Sequence, residues 1–135
     1  MSSLSRLLYS LVRLMSVIAI QLTQNPFSLF LRNMSFLVPK KRLYESDDLI
    51  VFYHPRPAYA THILLMPKAD IRSLHELSPT ENQPFLVELF QVVRDLVNEL
   101  QLETEGYRLI SNGGDYQEIP HLHFHLVSDK QRGSA

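Results

Sequence analysis

Three histidines stand at alternate positions near the end of the chain: His121, His123 and His125, with Leu122 and Phe124 between them and Leu126 and Val127 after. The chain has only six histidines in all. On an extended strand, residues i, i+2 and i+4 share a face. The three imidazoles therefore project as a row from one side, and Leu122, Phe124 and Leu126 from the other. A helix would scatter them around its axis. Imidazole near neutral pH is a metal ligand, a nucleophile and a proton carrier. Three of them suit zinc, yet the outer two on a straight strand lie roughly 13 Å apart, too far for one ion with ~2 Å bonds. Only adjacent pairs could chelate together, with a carboxylate or a distant histidine completing the set. The alternative chemistry is nucleophilic. One neutral ring attacks phosphorus while its neighbours disfavour the cation and donate to the phosphate oxygens. A merely polar, histidine-rich strand face stands behind both, because every intervening position is apolar.

The elements that must hold this row are legible from patterning. Arg42 to Glu45 and Leu49 to Tyr53 read as two strands around the turn-type cluster Ser46-Asp47-Asp48. HPRPAYAT is a proline-broken loop, and HILLMPK is a short apolar strand ending at Pro67. Ser78-Pro79-Thr80-Glu81 resembles a capping box, with Glu81 reaching back to Ser78. Pro84 fits poorly inside a helix, which places the regular part from there. Apolar positions 85, 86, 89, 90, 93, 96, 97 and 100 then follow a helical stripe to about Leu102. YRLISN is a strand, GGDYQEIP a loop and HLHFHLV a last strand. The class is α+β: a mainly antiparallel five-stranded sheet packed by one long helix and preceded by N-terminal helices.

At 135 residues the chain is sized for one folded domain, 45% hydrophobic and 20% charged. Its net charge of −1 gives no overall basic signal for a nucleic-acid polymer. The absence of cysteine excludes disulfides and thiolate metal sites. Charge is unevenly spread, however. Residues 1–44 hold six basic side chains and no acid, and the remainder holds seven basic and fourteen acidic. Ser3 to Gln24 reads as an amphipathic helix, with Ser3, Arg6, Ser10, Arg13 and Gln24 on a polar stripe. It suits a packing or dimer helix, a membrane-surface helix, or a targeting presequence. Arg13 interrupts an apolar run already too short to span a bilayer. Asn25-Pro26 ends the helix, and 27–33 reads as a short second one. The chain is thus divided into a helical extension, 1–33, and a domain, 34–135, with Met34 a second plausible start.

The stretch His121-Leu122-His123-Phe124-His125-Leu126-Val127 matches the His-φ-His-φ-His-φ-φ pattern (φ hydrophobic) of the histidine triad (HIT) superfamily, and the chain resembles that family from about 37 to 129. THILLMPK, GYRLISN, YQEIPHLHFHL and LYESDDLIVFYH resemble its supporting segments in order and spacing. The resemblance implies a nucleotide hydrolase or phosphoramidase without cofactor or metal, His123 being the nucleophile at the α-phosphorus. His121 and His125 would orient it and bind phosphate oxygens, and His62 would complete the cluster. Gln117 would lie near the leaving group, Asn112 on the phosphate side and Phe52 in the base pocket, with Leu29 and Phe30 closing it. His54 departs from the family: it stands where many members have an aspartate that holds the ribose hydroxyls. The loop from Asn112 to Gln117 is shorter than in the purine-nucleoside phosphoramidase branch, and the chain stops soon after the triad. His125 in place of glutamine favours a hydrolase over a nucleotidyltransferase. The resemblance also implies a homodimer. The expected location is cytoplasmic, or membrane-peripheral or organellar through the N-terminal segment. The contrasting function is a nucleotide-sensing or interaction protein docked through residues 1–33.

Overall fold

The computed structural model describes residues 3–24 and 41–130. Helix α1 spans Ser3–Gln24, the predicted bounds. The predicted helix at 27–33, Leu29, Phe30 and the expected domain boundary all lie outside the described residues. Five strands follow: β1 Tyr44–Glu45, β2 Leu49–Tyr53, β3 Thr61–Pro67, β4 Arg108–Ile110 and β5 Phe124–Ser128. They form one antiparallel sheet in the order β1-β2-β3-β5-β4. The β1–β2 turn closes where the Ser46 hydroxyl accepts the N–H groups of Asp48 and Leu49, the local bonding that makes serine a turn former. β3 sits centrally and is buried along its whole length.

Helix α2, Gln83–Glu99, covers one face. Phe85, Leu89, Val92, Val93, Leu96 and Val97 form its buried stripe and pack with Leu49, Val51, Ile63, Leu65, Phe124 and Leu126. Those strand residues alternate, so their neighbours Ile50, Phe52, Leu64 and Met66 form a second buried cluster toward the opposite face. The helix start differs in detail from the sequence reading. The Ser78 hydroxyl does accept the Glu81 N–H, but the side chain reaching back to the Ser78 N–H belongs to Asn82, at 2.8 Å. Regular helix then begins at Gln83 with Pro84 in the first turn, where a missing N–H costs nothing. The helix ends at Glu99, before the expected Leu102, because Gln101 adopts a left-handed φ of 53°.

The last strand also starts later than its sequence suggests. β5 begins at Phe124, leaving His121 and His123 in the irregular segment before it. Leu65 pairs with Phe124, and the same register carried on brings Leu122 opposite Pro67. Proline has no N–H to give a ladder. The Leu122 carbonyl thus finds no donor at Pro67, whose own carbonyl accepts from His121 Nε2; the Leu122 N–H goes to the Ile71 carbonyl and the His121 N–H to that of Ile119.

Candidate active site

Four imidazoles lie in sequence on the sheet face opposite α2: His123, His125, His62 and His54. Val127 pairs with His62, and Leu64 with His125, which makes His62 and His125 diagonal neighbours across the β3–β5 ladder. Their ring centroids are 5.1 Å apart, and His62 Nε2 lies 2.8 Å from His125 Nδ1. His123 meets His125 edge-on at 5.0 Å. His54, just past β2, stacks on His62 at 4.3 Å and is 6.2 Å from His125. Its own N–H donates to the His62 carbonyl, which fixes the approach of the two rings. Tyr59 presents an edge contact to His62 at 5.5 Å.

Backbone partners decide where the protons sit. A carbonyl only accepts, so His123 Nδ1, 2.7 Å from the His121 carbonyl, carries the hydrogen. His123 Nε2 is left with a lone pair. His62 Nδ1 accepts the Ala58 N–H at 3.1 Å, so His62 donates from Nε2 to His125 Nδ1. His125 in turn holds its hydrogen on Nε2. The cluster thus sets a bare nitrogen on His123 beside an N–H donor on His125. His121 differs from the other two triad members. Its ring is fully buried and donates from Nε2 to the Pro67 carbonyl at 2.8 Å.

Burial disfavours the charged form of His125, His62, His54 and His121. His125 is pushed from 6.5 down to about 4 by desolvation first, then by the neighbouring His123, His62 and His54. His62 is lowered by desolvation and by His54. His54 is lowered by desolvation and His123, against a raising influence from Glu118. His121 is lowered chiefly by desolvation, with the Pro67 bond opposing. Among the described residues no three histidine, aspartate or glutamate side chains are placed to hold one ion. The closest pair of ring nitrogens shares a hydrogen bond.

Of the other sequence candidates, Gln117 follows the 3₁₀ turn Gly114–Tyr116 and donates both amide hydrogens, to the Arg72 carbonyl at 2.6 Å and the Ile119 carbonyl at 2.9 Å. Only its Oε1 remains to offer a substrate, as an acceptor. Asn112 lies two residues beyond Ile110, the partner of His125, in the direction of His123. Phe52 packs with Ile50, Leu64 and Met66 on the sheet face that carries the rings. Sequence reasoning missed the groups that set the tautomers: the His121 and Pro67 carbonyls and the Ala58 and Arg56 N–H groups. Backbone atoms carry no residue signature, so no pattern in the sequence could have marked them.

Known proteins share much of this sequence and its fold. Protein HitA of Neisseria gonorrhoeae is 35% identical over 92 residues, 67% of this chain and 84% of its own. The purine nucleoside phosphoramidase of Escherichia coli is 29% identical over 98 residues, 71% of this chain and 82% of its own. A histidine triad protein from Clostridium difficile superposes with a TM-score of 0.65 at 26% identity, covering 84% of this chain and 96% of that one. A HIT family hydrolase from Legionella pneumophila shares the fold at a TM-score of 0.66 and 24% identity, over 80% of this chain and 95% of its own. The family model of the HIT domain matches residues 36–132, a span that includes all the rings described above, and the chain belongs to that family.

Proposed function

We propose that the protein hydrolyses a nucleoside phosphoramidate or a dinucleotide at the α-phosphate, through a nucleotidyl-histidine intermediate on His123. The bare Nε2 of His123 is the observation that carries this reading. Its lone pair forms a bond to phosphorus as the bond from phosphorus to the leaving group breaks. The ring gains positive charge, and the His121 carbonyl at its Nδ1–H stabilises that charge. Neutral His125 donates from Nε2 to a phosphate oxygen, held in that tautomer by His62. His121 acts through its carbonyl rather than its buried ring. An amine leaves neutral with the proton its nitrogen already carries, a nucleotide leaves as its phosphate anion, and the proton of the later water passes to solvent; Gln117 Oε1 accepts a hydrogen bond from that amine or that water, and Asn112 borders the phosphate. Water then displaces His123 and frees the nucleoside monophosphate, so that one hard substitution becomes two easier ones. The purine nucleoside phosphoramidase of Escherichia coli supports the substrate class.

The test is turnover of adenosine 5′-phosphoramidate and a dinucleoside polyphosphate, followed as release of AMP. His123→Ala is expected to lose at least about 10³-fold in kcat/KM. A rapid acid quench of unsubstituted protein should leave a nucleotidyl group on the peptide holding His123. Turnover unchanged in His123→Ala would refute the nucleophile.

The assembly we propose is a symmetric homodimer. Val87 and Phe90 lie about half exposed on α2, beside a depression of about 490 Å³ lined also by Leu86, Gln91 and Arg94. β4 is a three-residue strand at the sheet edge. An apolar patch of this kind and a strand edge both favour a partner surface. Light scattering should give twice the 15.7 kDa of the chain, and Phe90→Glu the single mass.

A second reading concerns α1, whose Leu4, Leu7, Leu8, Leu11, Val12, Leu14 and Met15 are all exposed. Arg6 and Arg13 project from the opposite side, and the helix has no acid. That pattern suits a helix lying on an anionic lipid surface. Among the described residues no helix is long and apolar enough to cross a membrane.

A further inference from the structure

The row of rings ends in a cavity of about 200 Å³ lined by Tyr53, His54, Pro57, Ala60 and His62. In an in-line displacement the leaving group departs opposite the attacking His123 nitrogen, and the substituent retained on phosphorus lies to the side. His125 and then His62 stand on that side. The cavity continues from it, since His62 is both the partner of His125 and a wall of the cavity. On the nucleotide reading above, from which this inference follows, the retained group is the sugar.

What the cavity offers a sugar follows from bonds already made. His54 Nδ1 accepts the Arg56 N–H at 2.9 Å, so its hydrogen is on Nε2. His62 Nδ1 is occupied by Ala58, and its Nε2 donates to His125. Neither ring keeps an acceptor. Pro57 and Ala60 have none in their side chains, and no carboxylate lines the wall. Tyr53 also borders the cavity, but its ring packs with the core on the α2 side of the sheet. Two adjacent sugar hydroxyls are donors as well as acceptors, and they gain most from a carboxylate that takes both hydrogens. One N–H donor takes no hydroxyl hydrogen, and the sugar ring oxygen satisfies it as well as a hydroxyl does.

We propose that His54 sets the sugar selectivity of the site: it offers a single N–H donor where a vicinal diol needs an acceptor, so the protein binds nucleotides with and without the 2′ and 3′ hydroxyls about equally well. The substrate class widens accordingly, from ribonucleotide derivatives to deoxyribonucleotide ones.

Calorimetric titration of the full chain with AMP and with 2′,3′-dideoxyadenosine 5′-monophosphate tests this directly. The two dissociation constants should agree within about threefold. In His54→Asp the carboxylate should create a preference for AMP of roughly tenfold or more. A tenfold preference for AMP in the unsubstituted protein overturns the assignment and needs no variant. A folded His54→Asp with no gained preference also overturns it. Binding of neither nucleotide at millimolar concentration would remove the nucleotide reading, and this proposal with it. Strong binding confined to AMP would leave that reading standing and remove only the role of His54.

Discussion

His125 has one nitrogen to give a substrate, because the other is held by His62 at 2.8 Å. Its environment also costs stability in acid. The folded state holds His125 at about 4 against an ordinary 6.5, through desolvation and the three rings around it. Between those values the unfolded chain binds a proton that the folded chain refuses. Stability is therefore full above pH 6.5 and falls as the pH drops toward 4. Thermal melts at pH 7.5 and 5 should show a lower midpoint in acid, and His125→Gln should narrow the gap. A midpoint equal at both pH values would contradict a buried neutral His125. At this scale the residue types were legible and their bonds were not. Alternation along 121–127 placed His123 and His125 side by side, whereas the His121 ring expected beside them is buried against the Pro67 carbonyl, and the apolar run after His62 marked that further ring. That His54 spends its Nδ1 on its own loop could not be read, since the bond depends on how Pro55 and Pro57 turn the backbone.

The elements were readable where burial is periodic. All six buried positions of α2 follow the 3.6-residue spacing, and they meet alternate residues of β2, β3 and β5. Leu89 is fully buried at the centre of that contact. Leu89→Ala is expected to cost about 2–5 kcal/mol in urea unfolding with an unchanged m-value. A cost under about 1 kcal/mol would mean the helix packs elsewhere. The start of β5 shows where such reading stops. Pro67 was visible as the end of a strand, but its effect falls on Leu122, and only the β3–β5 register joins those two residues. The outcome matters for chemistry. In the segment before β5 the His121 carbonyl lies 2.7 Å from His123 Nδ1.

For the whole molecule, the uneven charge remains the broadest signal. Six basic residues and no acid occupy 1–44, and the exposed apolar stripe of α1 lies within that span. Co-sedimentation with vesicles containing anionic phospholipid should capture the intact protein, and capture should fall in salt as the electrostatic part is screened. Leu7→Glu with Leu11→Glu should abolish it. Equal capture by zwitterionic vesicles, or capture indifferent to those substitutions, would count against lipid docking. The sequence supplied this charge division, while the route of the chain between α1 and β1 lies outside the described residues.

The side chain of Gln117 ties the loop before the triad to Arg72, 45 positions earlier in the chain. Both of its bonds are given, none received. An isosteric glutamate would keep the volume and reverse the polarity, setting a negative charge against two carbonyl oxygens. Spontaneous deamidation at this one amide would therefore act as a chemical clock on the site, unfastening its wall while the imidazoles stayed in register.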